Sequence, residues 1–211
     1  MRDTQRLLWG AVLSCAVSVS HAATPGVDPA LQQLMSSPAA LQQARNEGGQ
    51  VASFCANCHG DKGTSAYDYI PNLAGQNPAY LLSQIGKFAD GQRKDDFMTG
   101  MIKAIKKQDR INVALFYASE RVQLAPTGTP DQVAHGKKLY HSICISCHGA
   151  DGHGNERIAR LAGQHATYIS QSLDKYRAGA GDRKDPVMGS VARRLSNDDI
   201  AAVAAYISTM P

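Results

Sequence analysis

The apolar positions of this chain fall into the same succession twice. "RINVALFYAS" (Arg110 to Ser119) and "DIAAVAAYIS" (Asp199 to Ser208) carry the apolar pattern of a packed helix. Ahead of each, the pattern predicts a helix around 39–55 and 131–144. A loop rich in Gly, Asp and Asn follows, then a helix from Pro78 or Ala166 to the next glycine, then a Met-bearing segment. No hairpin signal occurs and β-branched runs are few, so the predicted fold class is all-α. A further apolar run, Leu7 to Val19, follows Arg2 and Arg6 and precedes the small residues of "SHAA". It reads as an export leader cut after Ala22, and it is too short for a comfortable membrane span. "TPGVDPALQQLMSSPAALQQARNEGG" (24–49) opens with prolines, which suggests a loose arm with helix beginning near Pro38.

The landmarks recur in order. "CANCHG" (Cys55 to Gly60) returns as "CISCHG" (Cys144 to Gly149), and "LAGQ" at Leu73–Gln76 returns at Leu161–Gln164. Tyr80 matches Tyr168, and "RKDDFM" (Arg93 to Met98) matches "RKDPVM" (Arg183 to Met188). Slips of a residue or so aside, this is a duplicated unit. The predicted organisation is a leader at 1–23, an arm at 24–44, a first unit at 45–120, a linker at 121–130 and a second unit at 131–211. Pro126, Gly128 and Pro130 break the join. Units this small bury little surface alone, and the one tryptophan, Trp9, lies in the leader. Each unit therefore needs something more in its core, which suits a bound cofactor.

Charge excludes one class of function. Without residues 1–23 the chain keeps 20 of its 22 Lys and Arg and 17 of its 18 Asp and Glu, a net +3. That is too little for a nucleic-acid footprint. "KAIKKQDR" (Lys103 to Arg110) is the densest basic stretch and reads as a solvated helix face, with docking to an acidic partner as the lesser alternative.

Of five cysteines, Cys15 lies in the leader, where it loosely resembles a lipoprotein processing site; the other four occupy the two hexapeptides. Zinc would need a second ligand pair beside each Cys-x-x-Cys, and a redox dithiol would sit in a βαβ setting that is absent. Cys-x-x-Cys-His in an exported chain points instead to c-type haem. Cys55, Cys58, Cys144 and Cys147 would form thioethers to two haem c groups, with His59 and His148 on the irons. After the leader, the first unit has no histidine but His59, so thioether sulfur is the natural sixth ligand there. Register selects Met98 and Met188, each five residues after the Arg of "RKD", whereas Met101 aligns with Val191. Met35, Met101 and Met210 read as core filler. His135, His141, His153 and His165 are competitors for Met188 in principle, with His153 and His165 expected to face solvent. An axial His usually donates its other ring N–H to a carbonyl or carboxylate. Pro71 is the candidate carbonyl in the first unit and Ala159 occupies the equivalent place in the second. Gln76, Tyr80, Gln164 and Tyr168 are candidates to hydrogen-bond haem propionates, or else to cap and pack helices.

With these residues in hand, the chain resembles the diheme cytochromes of the c4 type, which are duplicated class I cytochromes c. "CANCHG", "CISCHG", both "LAGQ" stretches, "FMTGM" and "VMGSVARRLSNDDIAAVAAYIS" carry the resemblance over about 45–120 and 131–211. It departs at Ala159, at "KAIKKQDR" and in the arm. The resemblance implies two tandem class I cytochrome c-like domains packed about a pseudo-twofold, with the haems near the interface. A haem held by His and Met has no vacant position, which leaves outer-sphere one-electron transfer. The expected function is a periplasmic carrier between a donor dehydrogenase or quinol-oxidising complex and a terminal oxidase or reductase. Membrane association would come only through partners. The alternative is a haem subunit, catalytic or not, of a sulfur-compound dehydrogenase.

Overall fold

The computed structural model describes residues 26–179 and 183–211. The leader, its cut after Ala22 and Cys15 lie outside the described residues. Within them the regular structure is helical throughout, without a strand. No helix among them is long and apolar enough to cross a membrane.

The first lobe contains α1 (Pro29–Met35), α2 (Pro38–Ala52), the single turn α3 (Ala56–His59), α4 (Pro78–Ala89), α5 (Asp96–Ala104) and α6 (Lys107–Ser119). The second contains α7 (Pro130–Leu139), a π-helical turn at Tyr140–Cys144, α8 (Ile145–His148), α9 (Ala166–Ala178), α10 (Pro186–Arg193) and α11 (Asn197–Thr209). Proline at the first position starts α1, α2, α4, α7 and α10, where its missing N–H costs nothing.

Each lobe is organised by one close helix crossing, α2 on α6 and α7 on α11. Glycine permits both. A Cβ on Gly48 would lie 2.1 Å from the Asn112 carbonyl oxygen, and one on Gly136 would lie 1.9 Å from that of Ala202. From Gly48 to Cys55 is seven residues, but from Gly136 to Cys144 is eight. The extra residue is taken up by the π turn, which widens the helix locally rather than shifting the crossing. The repeat thus slips by one residue ahead of the hexapeptides as well.

Ala52, Leu81, Val113, Ala114 and Tyr117 form the core beside the first hexapeptide. Tyr140, Ile169, Leu173, Ala192, Ile200, Val203 and Ile207 belong to the larger core of the second lobe. The arm is not loose, as the sequence had suggested. Asp28 caps α1, Leu31 is fully buried, and Leu31 packs with Ala44, Ile111 and Leu115 in a further cluster. The expected helix start at Pro38 is where α2 begins, and α2 runs unbroken past residue 44. The segment between lobes has no regular structure and is tied to both: Gln123 N donates to Thr64 Oγ1 and Thr127 N to Ser208 Oγ.

Candidate haem sites

The two hexapeptides form the same structure. Cys55 precedes α3 and Cys144 precedes α8, so one helical turn spaces each pair of thiols and ends on the histidine. His59 N donates to Cys55 O at 3.0 Å. Gly60 and Gly149 then turn the chain at φ +77° and +82°, and a Cβ on Gly60 would lie 2.0 Å from the Thr64 carbonyl oxygen. None of the four thiols is in a disulfide. Burial pushes Cys144 up to about 11, and burial also raises Cys55 against a lowering hydrogen bond with Tyr117. A disulfide-exchanging dithiol needs the opposite, a thiol pulled down towards neutrality. Among the described residues no three His, Cys, Asp or Glu side chains converge as a metal cage. The donor set is thus two thiols and one imidazole per lobe, which fits covalent haem.

Both histidines are buried, at 8% and 9% exposure. His59 Nδ1 donates to the Pro71 carbonyl at 3.0 Å, and His148 Nδ1 donates to that of Ala159 at 2.9 Å. A carbonyl only accepts, so each ring carries its proton on Nδ1 and leaves the Nε2 lone pair for a metal. Burial lowers the pKa of both rings, which favours the neutral, ligating form.

Met98 and Met188 occupy matching places, the third residue of α5 and of α10. Asp95 Oδ1 accepts from Met98 N at 2.9 Å, and Asp185 Oδ1 accepts from Met188 N at the same distance. These caps went unread in the sequence, although an Asp one residue before each helix was their signal. Met188, like Cys144 and Leu161, packs against the core of the second lobe. Of the three methionines read as filler, Met210 is buried and Met101 partly so. Met35 is a correction: it is 48% exposed at the last position of α1, where the helix turns its end to solvent.

The competing histidines are engaged elsewhere. His135 Nε2 bonds Asp199 Oδ1 at 2.9 Å, and His153 Nε2 bonds the Pro211 carbonyl at 3.2 Å. His141 lies against the rings of Tyr140 and Tyr206. His165, expected in solvent, is instead 8% exposed, with Nε2 donating to the Ser65 carbonyl of the first lobe at 3.0 Å. The lobe contact that buries it was invisible to local polarity.

Gln76 and Gln164 lie across the contact between lobes, each bonded to backbone of the opposite lobe. Gln164 Oε1 accepts from Asn72 N at 2.8 Å while its Nε2 donates to Asn72 O at 2.9 Å. Gln76 Oε1 accepts from Arg160 N at 2.7 Å and its Nε2 donates to Arg160 O at 2.8 Å. Tyr168 meets both arginines of the "RKD" repeats. Its hydroxyl accepts from Arg93 Nη2 at 3.2 Å and from Arg183 Nη2. Burial would raise Tyr168, but the two arginines outweigh it and pull the phenol down to about 8. Tyr80 is raised to about 12, by burial first and then by Tyr168. Arg183 is 7% exposed and its buried Nε has no hydrogen-bond partner among the described residues. A buried guanidinium with an unsatisfied donor among phenols suits an anionic group such as a haem propionate. Sequence reasoning named the tyrosines and passed over Arg93 and Arg183, whose repetition in "RKD" was the available signal.

The Cytochrome c family profile matches residues 133–211. Cytochrome c4 of Pseudomonas aeruginosa is 36% identical over 170 residues, which cover 74% of this chain and 83% of that protein. A thiosulfate dehydrogenase electron acceptor of Thiomonas intermedia is 32% identical over 179 residues, covering 76% of this chain and 80% of that one. The crystal structure of reduced recombinant cytochrome c4 from Pseudomonas stutzeri matches with a TM-score of 0.72 at 31% identity, over 78% of this chain and 97% of that one.

Proposed function

The chain belongs to the cytochrome c4 family of diheme electron-transfer proteins, and on that premise we propose that it is a periplasmic carrier holding two covalent haem c groups. It passes single electrons from a donor dehydrogenase or quinol-oxidising complex to a terminal oxidase or reductase. The observation that carries this reading is the paired geometry of the hexapeptides: two thiols one turn apart, then an imidazole held on Nδ1 by a carbonyl. Cys55 and Cys58 hold one haem and Cys144 and Cys147 the other. His59 with Met98, and His148 with Met188, would supply the two protein donors to each iron. So held, the haems would supply reversible one-electron chemistry at a raised potential, with no open position for substrate. The protein's part is to supply the donors, keep both imidazoles neutral and bury them from water. The two units, 45–120 and 131–211, each carry one site.

Carbon monoxide binding to the reduced, exported protein tests this, with haem assayed alongside. Two haems per chain and no optical change are expected. Stoichiometric binding at one haem would mean an open iron and overturn the carrier reading.

A second reading of the donor rests on the likeness to the Thiomonas protein, which is named as an electron acceptor of thiosulfate dehydrogenase. In it the chain serves a sulfur-compound dehydrogenase, as its haem subunit or acceptor. Stopped-flow reduction separates the two: fast reduction by such a dehydrogenase, and slow reduction by a quinol-oxidising complex, would select the second.

A further inference from the structure

The interlobe bonds join the two sites in a specific way. The Pro71 carbonyl that receives His59 Nδ1–H and the Asn72 N–H bonded by Gln164 are the two ends of one peptide group. Likewise, the Ala159 carbonyl that receives His148 Nδ1–H and the Arg160 N–H bonded by Gln76 are the two ends of another. Each axial histidine is therefore one peptide away from a glutamine of the opposite lobe. Both glutamines are 7% exposed, so water competes little for these bonds.

We propose that Gln76 and Gln164 are cross-lobe positioning residues, each setting the electron density on the axial histidine of the other lobe; this rests on the reading that His59 and His148 ligate haem iron. An acceptor on a peptide N–H polarises the group and makes its carbonyl oxygen a stronger acceptor. A stronger bond from Nδ1–H leaves the imidazole a more basic ligand, which favours Fe(III). The second bond, from each glutamine Nε2 to the next carbonyl, holds the residue against rotation. Gln164 thus lowers the potential of the first-lobe haem, and Gln76 lowers that of the second. Each haem reaches its working potential only when the lobes are docked.

The test uses the diheme protein with Gln164→Leu and Gln76→Leu. Paramagnetic NMR during stepwise reduction resolves the two haems and reads each Nδ1–H resonance. Gln164→Leu should raise the potential of the haem on His59 and shift the Nδ1–H of that residue, with the other haem nearly unmoved. Gln76→Leu should do the reverse. Gln164→Glu keeps the acceptor and adds charge, so it should lower the potential of the His59 haem more than that of its neighbour. It also serves if the leucine variant folds poorly. A shift at the haem of the mutated lobe, equal shifts at both, or none would overturn the proposal. His59→Ala separates the two readings: if the first haem keeps its six-coordinate spectrum in that variant, the ligand assignment fails, whatever the glutamines do.

Discussion

Met98 and Met188 illustrate how much a single residue can carry when a repeat supplies its register. Each stands third in a short helix capped by the Asp of "RKD". Met101, only three residues on from Met98, has Val191 as its counterpart. Met98→Ala should open the first iron, so that the reduced protein binds one carbon monoxide per chain; Met101→Ala should bind none. Optical titration reads both. The carbonyl partners were legible for a similar reason, since Pro71 and Ala159 each stand two residues before the Leu of "LAGQ". The amides of Gln76 and Gln164 were not legible. Nothing local distinguishes a glutamine facing a cofactor from one facing the other half of the chain.

Among the helices, glycine placement and capping decide stability. Gly136→Ala would drive a Cβ into the backbone of α11 at Ala202, where no side chain can move aside. The α7–α11 crossing must open, at a cost of about 1–3 kcal/mol or more, measured by urea unfolding. The start of α11 is a capping box: Ser196 Oγ accepts from Asp199 N while Asp199 reaches back to Ser196 N. Ser196→Ala should cost about 1 kcal/mol in the same measurement. Hydrogen bonds from His135 and then Ser196 hold the Asp199 carboxyl below its ordinary range. A depressed carboxylate contributes stability above its unfolded pKa, about 4, and loses it as pH falls through the lower folded value. The stability gap between wild type and Asp199→Asn should therefore shrink as unfolding is measured in progressively more acid buffer. The arm belongs to this scale too. Its opening prolines read as looseness, yet Pro29 starts α1 just as Pro38 was expected to start α2, and Leu31 becomes a fully buried anchor on α6. Leu31→Ala should cost about 2–5 kcal/mol, again by urea unfolding.

At the scale of the molecule, the two lobes are joined by buried polar groups as well as by the linker. Asn72 accepts from Ser65 N at 2.9 Å through Oδ1 and donates to the Gly163 carbonyl through Nδ2 at 2.9 Å. On the other side, Asn77 Nδ2 donates to the His153 and Ile158 carbonyls. Asn72→Ala would leave a donor and an acceptor buried without partners, a loss of about 1–3 kcal/mol for each such group. Calorimetry should find that loss in the docked pair, with the second lobe melting earlier although the substitution lies in the first.

The sequence by itself determined the helical class, the duplication and the hexapeptides, because these are local: each follows from residue type and spacing over a few turns. It also singled out the methionines, since a repeat compares a chain with itself. Only the tertiary structure decided that the arm is packed, that the π turn absorbs the inserted residue, and that His165 is buried. It alone brought Gln76, Gln164, Arg93 and Arg183 to the contact between lobes. Those features depend on pairs such as Asn72 with Gln164, 92 residues apart, and local polarity carries no information about which distant backbone a side chain will meet.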